Sequence, residues 1–261
     1  MTKRNVGVLL VGHGTRDSIG TEQFFQLAEL LKRQLPSIPV EPCLLEFQSP
    51  SIAEGWDRLG RQRVTDVRVA PLLLFAAGHA KSDIPGLVQQ CQATTPGVSF
   101  SFARPISRHP AIIELVCDRL QHSIDAMERP AERMALVMVG RGSYDPCAQA
   151  DMRVLSEIVA NRLAVTNRAT AFYAMAEPRL PRVLKQIATS ITARQSGESI
   201  LVHPHLLFEG RLFHAIAQQV DEVRDQFPDV TIHLSQYLGP DRQVAQAIAG
   251  RLELSKQDET P

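Results

Sequence analysis

The chain has 261 residues, which suits one large domain or two domains of about 125 residues each. Hydrophobic residues make up 44% of the chain and charged residues 21%, and these values, close to the globular average, exclude a disordered or fibrous protein. Lysine plus arginine and aspartate plus glutamate number 28 each, so no net charge attracts nucleic acid or an anionic membrane. The sequence lacks an apolar stretch of about 18 residues and a signal-peptide pattern, and we therefore expect no membrane contact and a cytoplasmic location.

Strand-like and helix-like segments alternate through the first half of the chain. In order, the predicted segments are Val6–Val11, Phe24–Leu35, Val40–Phe47, Ser51–Arg61, Val67–Phe75, Ile84–Cys91, Val98–Ala103 and Pro110–Ile124. The apolar run at 69–75 is typical of a strand that is covered on both faces. We therefore predict a parallel sheet with flanking helices, in the common strand order 2-1-3-4.

The four cysteines, Cys43, Cys91, Cys117 and Cys147, are far apart and form no C-x-x-C pair. That spacing argues against a structural zinc site or an Fe–S cluster. We predict buried thiols, because free cysteine behaves as a small hydrophobic residue.

The second half of the chain repeats the first. ALVMVGRG at 135–142 echoes VGVLLVGHG at 6–14, and HPHLLF at 203–208 echoes APLLLF at 70–75. An internal repeat of this length predicts two tandem, similar α/β domains, each with a parallel sheet. We place the first domain at 1–126, a polar linker at 127–133, the second, degenerate copy at 134–254 and a polar tail at 255–261.

The two copies differ at the polar ends of their strands. Arg141 stands where the first copy has His13, and Arg211 stands near the place of His79. Glu177 is interpreted as the counterpart of Glu46. Only the first copy therefore keeps the histidines.

Three residues of metal-ligand type, His13, Glu46 and His79, follow three successive strands of the first copy. Ligands of open parallel sheets bind beyond the carboxyl ends of the strands, and neighbouring strands lie about 4.8 Å apart. Taken singly, each residue has an ordinary alternative: a glycine-rich turn, a solvated carboxylate or a helix cap. Taken together, they predict an exchangeable site for a divalent first-row metal.

Three motifs of the first copy carry a family resemblance: VGHGTRD at 11–17, LEFQSPSI at 45–52 and PLLLFAAGHAKSDIP at 71–85. They closely resemble the class II chelatases of sirohydrochlorin, which insert cobalt or iron in cobalamin and sirohaem synthesis. GRGSYDPCAQAD at 140–151 and PHLLFEGRL at 204–212 are similar to the second half of the two-domain members, so the resemblance covers nearly the whole chain. It implies two α/β domains facing across a central cleft that binds metal and tetrapyrrole.

The resemblance also implies roles for particular residues. His13 and His79 correspond to the metal-binding histidines of the family, and Glu46 to their acidic partner. Our hypothesis is that the histidines hold Co²⁺ or Fe²⁺, with Ni²⁺ as a further candidate, while one of them accepts a pyrrole proton. Glu46 completes the metal shell or relays protons. The tail lacks the cysteine motif of some long members, so no Fe–S cluster is expected.

The substrate carries several carboxylates, which arginine pairs with in a bidentate fashion. Candidate substrate-binding residues are Arg16, Lys81, Arg104, Arg141 and Arg211. Arg141 and Arg211 have an alternative role in bracing the domain interface. His203 and His205 would share one face of a strand, where a structural role is favoured over a second, weak metal site.

Two other functions share parts of this pattern. A metal or tetrapyrrole carrier would use the same residues, and only turnover distinguishes it from an enzyme. A histidine phosphatase needs an arginine directly before its histidine, where this chain has Gly12. The sequence has no P-loop or dinucleotide fingerprint, so no nucleotide is expected, and the duplicated chain is expected to be a monomer.

Overall fold

The computed structural model describes residues 5–75, 82–128, 130–165 and 167–254. The strands are β1 Val6–Gly12, β2 Val40–Leu44, β3 Asp66–Pro71, β4 Ser99–Phe102, β5 Met134–Gly140, β6 Asn167–Phe172, β7 Ser199–Pro204 and β8 Ile232–Leu234. The helices are α1 Ser18–Gln34, α2 Ile52–Arg61, α3 Asp83–Thr94, α4 Pro110–Ala126, α5 Pro146–Arg162, α6 Leu180–Arg194, α7 Arg211–Gln226 and α8 Arg242–Arg251. None of the described helices is long and apolar enough to cross a membrane.

The strands form two parallel four-stranded sheets, with the orders β2-β1-β3-β4 and β6-β5-β7-β8. Every residue of the central strands β1 and β5 is buried, as expected for apolar strands that have helices on both faces. The structure confirms the predicted pair of similar parallel-sheet α/β units and their strand order. Their arrangement across a cleft stays a prediction.

The helices that follow β1 and β2 begin at side-chain caps. The Asp17 carboxylate accepts from the amides of Ile19 and Gly20 at the start of α1. Ser51 and Glu54 form a reciprocal capping box at the start of α2. These caps satisfy amides that lack helical partners, and they fix the two loops that carry His13 and Glu46.

Two strands are shorter than the sequence predicts. β2 ends at Leu44 because the chain turns at Phe47, whose φ of 68° lies in the left-handed region, and the Leu44 amide donates to the Pro50 carbonyl. β3 ends at Pro71, where a tight turn joins the Leu73 amide to the Pro71 carbonyl. The apolar runs continue beyond both strands, because these turns remain partly buried.

Contacts divide the chain into two compact units, Met1–Ile112 with Pro240–Pro261, and Ile113–Gly239. These limits differ from those of the sequence repeat. Helix α8, which ends the second repeat, packs against α1 in the first unit, and residues 113–126 of α4 belong to the second. The predicted linker at 127–133 therefore lies within the second unit, and it includes a 3₁₀ turn.

The cysteines are free, and only part of the prediction about them is confirmed. Cys43 is buried, and burial raises the pKa of its thiol. Cys91 and Cys117 are half-buried, while Cys147 is exposed. The prediction is wrong for Cys147 because it lies in the first turn of α5, directly after Pro146.

Two histidines are buried in the second unit. His203 on β7 and His205 just beyond it are 0% and 1% exposed, and His203 Nδ1 lies 2.9 Å from Ser235 Oγ. Burial lowers the pKa of His205 to about 3 and that of His203 well below its ordinary value. The nearby Arg119 guanidinium also disfavours a charged His203, and it would oppose a bound cation, so this environment supports the structural role over a second metal site.

The buried histidines predict acid destabilisation of the fold. The unfolded chain binds a proton at each histidine below about pH 6.5, whereas the folded chain keeps them neutral, so stability is full above that pH and is lost as the pH falls. The loss at pH 5 should be about 2 kcal/mol for each histidine. Urea unfolding from pH 7 to 5 measures it.

A matched variant isolates the effect. His205→Leu introduces the residue of the first repeat, because the amides of Leu72 and His205 donate to equivalent carbonyls, those of Val11 and Val139. It should flatten the pH dependence by about half. His122→Gln, at an exposed position on α4, should not. Parallel curves for wild type and His205→Leu would contradict the prediction.

Candidate metal centre

His13 and Glu46 lie side by side at the carboxyl edge of the first sheet. The register pairs Gly12 with Leu44, and it continues beyond the strands because the Glu46 amide donates to the His13 carbonyl at 3.1 Å. Both side chains are half-buried. His13 Nδ1 lies 3.3 Å from the Gly14 carbonyl oxygen.

Gly14 makes this neighbourhood possible. Its φ is +87°, and a Cβ added there would lie 2.1 Å from the Glu46 carbonyl oxygen. Only glycine allows both the left-handed backbone and this close approach. A further hydrogen bond, from Gln48 Nε2 to the Thr15 carbonyl at 2.9 Å, joins the same two loops.

The third predicted ligand, His79, lies outside the described residues, as does Lys81. Within the described ranges, no group of three histidine, cysteine or acidic side chains is arranged to hold a metal ion. The structure therefore brings His13 and Glu46 together and leaves the complete triad a prediction.

The described arginine candidates are all exposed. Arg16 belongs to the loop of His13, and its guanidinium carbon lies 5.1 Å from the centre of the Phe47 ring. Arg104 follows β4 and lies 3.6 Å from Glu253 in an exposed ion pair. Arg141 follows β5 in the second unit, and Arg211 is the first residue of α7.

The second unit repeats the backbone of this edge with different side chains. The register pairs Gly140 with Phe172, and the Ala174 amide donates to the Arg141 carbonyl at 2.9 Å. Gly142 has a φ of +92°, and a Cβ there would lie 1.8 Å from the Ala174 carbonyl oxygen. Arg141 and Ala174 thus occupy the places of His13 and Glu46.

The interpretation of Glu177 as the counterpart of Glu46 is therefore wrong. The bridge from Phe172 to Arg179 corresponds to the bridge from Leu44 to Ser51. Glu177 is therefore the residue of the second repeat that is equivalent to Ser49. Its carboxylate is exposed and pairs with Arg179 at 3.2 Å. The second unit thus lacks both the imidazole and the carboxylate at these positions.

Phe47 was not among the predicted site residues. The residue is 55% exposed at this edge and contacts Arg16. The predicted second strand extended to Phe47, so the turn that exposes this residue was not expected. Its neighbours Ser49 and Pro50, which are typical of turns, were the available signal that the strand ends earlier.

The close approach of the two loops predicts a specific sensitivity. Gly14→Ala should lower the free energy of unfolding by more than about 1 kcal/mol, because the added Cβ meets a carbonyl and the left-handed backbone is disfavoured. Gly142→Ala should behave in the same way. Urea denaturation measures both.

Gly60→Ala is the matched control. A Cβ at Gly60 would meet nothing within 4 Å, and alanine favours the helix, so this variant should be neutral or more stable. A Gly14→Ala protein as stable as the wild type would show that the loops separate without cost.

The chain is similar to known proteins along nearly its whole length. A family model described as CbiX matches residues 7–123 and 135–255. The sirohydrochlorin cobaltochelatase of Priestia megaterium is 30% identical over 89% of this chain and 74% of its own length. The sirohydrochlorin ferrochelatase of Bacillus subtilis (strain 168) is 30% identical over 94% of this chain and 90% of its own length.

A solved structure gives the same result at the level of the fold. SirB from Bacillus subtilis with Fe³⁺ superimposes with a TM-score of 0.83 at 28% identity, over 95% of this chain and 94% of that one. The family model covers both sequence repeats, and the matched relatives span nearly the whole chain. The chain therefore belongs to the CbiX family.

Proposed function

We propose that this chain is a sirohydrochlorin chelatase, a lyase-class enzyme that inserts Co²⁺ or Fe²⁺ into sirohydrochlorin and releases two protons. The observation that carries the proposal is the placement of His13 beside Glu46 at the carboxyl edge of the first sheet. The relatives support the reaction, since they are named as cobaltochelatases and ferrochelatases. Imidazole and carboxylate ligands accept both metals, so the proposal includes both.

The metal is a substrate, and its ligands have to release it. His13 and Glu46 supply two ligands from adjacent loops, and His79 is proposed as the third. Three protein ligands leave coordination positions open for pyrrole nitrogens. As the ion moves into the ring, the two pyrrole N–H protons leave. A neutral imidazole can accept one of them, and the half-buried Glu46 carboxylate can accept the other and relay it to water.

The peripheral carboxylates of the substrate are assigned to the cationic side chains. Arg16 shares its loop with His13, which supports a role for it in the first unit. Lys81, Arg104, Arg141 and Arg211 are proposed as further contacts. Arg104 is the weakest of the described candidates, because Glu253 already neutralises part of its charge.

We further propose that the chain acts as a monomer in the cytoplasm. A single chain contains both copies of the repeat, so it has no need of a second chain to supply the second copy. Light scattering should then give the mass of one chain. A binding-only carrier is the alternative function, and turnover separates it from an enzyme.

The test is anaerobic metallation of sirohydrochlorin with Co²⁺ or Fe²⁺, measured by the change in the absorption spectrum of the tetrapyrrole. The wild type should convert many equivalents of substrate per chain. His13→Ala and His79→Ala should each lose at least about tenfold in rate, because even the loss of a residue that only orients a metal ligand costs about 10–100-fold. His122→Ala, at an exposed position on α4, is the control and should keep full activity.

Two results would contradict the proposal. Stoichiometric binding without turnover for either metal would identify a carrier. Full turnover in both His13→Ala and His79→Ala would show that the metal site lies elsewhere.

A further inference from the structure

The loops that hold His13 and Glu46 also present a cation–π pair of side chains to solvent. The guanidinium carbon of Arg16 lies 5.1 Å from the centre of the Phe47 ring. Phe47 is 55% exposed and directly follows Glu46, while Arg16 is exposed three residues after His13. The pair therefore lies at the rim of the proposed metal site.

Phe47 is poorly suited to its position on grounds of stability alone. Its φ of 68° is a left-handed conformation, which bulky residues rarely adopt, and its ring is largely in water. Backbone outliers of this kind cluster at functional sites.

The fold does not require this pair. Met175 takes the place of Phe47 in the second unit and has a similar φ of 57°. Tyr144, three residues after Arg141, takes the place of Arg16. The left-handed turn is thus common to both units. Among the described residues, an arginine over a phenylalanine ring occurs at this turn in the first unit, and Tyr144 and Met175 take these two places in the second.

A second arginine stacked on a phenylalanine shows what a structural pair looks like. Arg153 lies over Phe172 at 5.3 Å, but that ring is only 2% exposed, and the guanidinium also donates to the Glu177 carbonyl. The Arg16 guanidinium, by contrast, makes no hydrogen bond or ion pair within the described residues. As far as the described residues show, its donors are available to a ligand.

We propose that Phe47 is a positioning residue that holds the Arg16 guanidinium over its ring by a cation–π contact, so that the N–H donors bind one peripheral carboxylate of the tetrapyrrole. Stacking on an aromatic face leaves the donor fork of arginine free for bidentate pairing. The bound carboxylate then adds affinity for the ring at the edge that carries His13 and Glu46. This inference rests on the proposed function, because it takes sirohydrochlorin as the ligand.

The experiment measures the affinity for metal-free sirohydrochlorin by absorption titration, together with KM and kcat for metallation with Co²⁺. Phe47→Gly removes the ring and relieves the left-handed backbone. It should weaken binding and raise KM by about two- to fivefold, with kcat unchanged. Phe47→Leu keeps the bulk without the aromatic face and should show the same loss, while Phe47→Tyr should keep wild-type affinity.

Two further variants separate positioning from a general effect. Arg16→Ala should weaken binding at least as much as Phe47→Gly, and adding Phe47→Gly to it should cause no further loss, because the ring acts through the guanidinium. Met175→Gly makes the same backbone change in the second unit and should leave KM unchanged.

The outcomes distinguish this inference from the proposed function. Wild-type metallation with an unchanged affinity in Phe47→Gly and Phe47→Leu would overturn the role of Phe47 alone. Equal losses in Phe47→Tyr and Phe47→Leu would also overturn it, since the aromatic face would then be irrelevant. Absence of wild-type turnover would remove the chelatase assignment, while the titration would still measure carboxylate binding.

Discussion

The arrangement of the candidate site depends on one close contact, in which Gly14 lies against the carbonyl oxygen of Glu46. A side chain at that position would have its Cβ 2.1 Å from the oxygen. A side chain there would push the two loops apart and strain the hydrogen bond from the Glu46 amide to the His13 carbonyl, which holds the two proposed ligands side by side. The proposed site therefore requires glycine at position 14.

The second unit shows that this contact is a property of the scaffold. Gly142 approaches the Ala174 carbonyl oxygen in the same way, yet the adjacent side chains are a guanidinium and a methyl group. The second unit therefore has the same backbone arrangement but different side chains at the positions of the proposed ligands. Elsewhere, it has put His203 and His205 where the first unit has Ala70 and Leu72, and their burial keeps both imidazoles neutral. The proposed metal ligands are thus confined to one of two similar units.

The sequence predicted the parts of the fold that follow from hydrophobic patterning. Strand order, parallel sheets and the meeting of His13 with Glu46 all follow from apolar strands that alternate with helices. Glu177 was misplaced because matching residue types ignores strand register, which depends on backbone hydrogen bonds. Phe47 was assigned to a strand because an apolar run does not show where a turn interrupts it. Helix α8 ends the second repeat but belongs to the first compact unit. Local periodicity does not show this, because the spacing of apolar residues in a helix is the same whichever unit it packs against.

The most direct measurement of the central claim is anomalous diffraction at the cobalt edge, from crystals soaked anaerobically in Co²⁺. We predict a cobalt peak at bonding distance from the His13 imidazole and the Glu46 carboxylate, with no peak beside Arg141 and Ala174. Cobalt bound only in the second unit, for example between His203 and His205, would contradict the assignment of the metal site to the first.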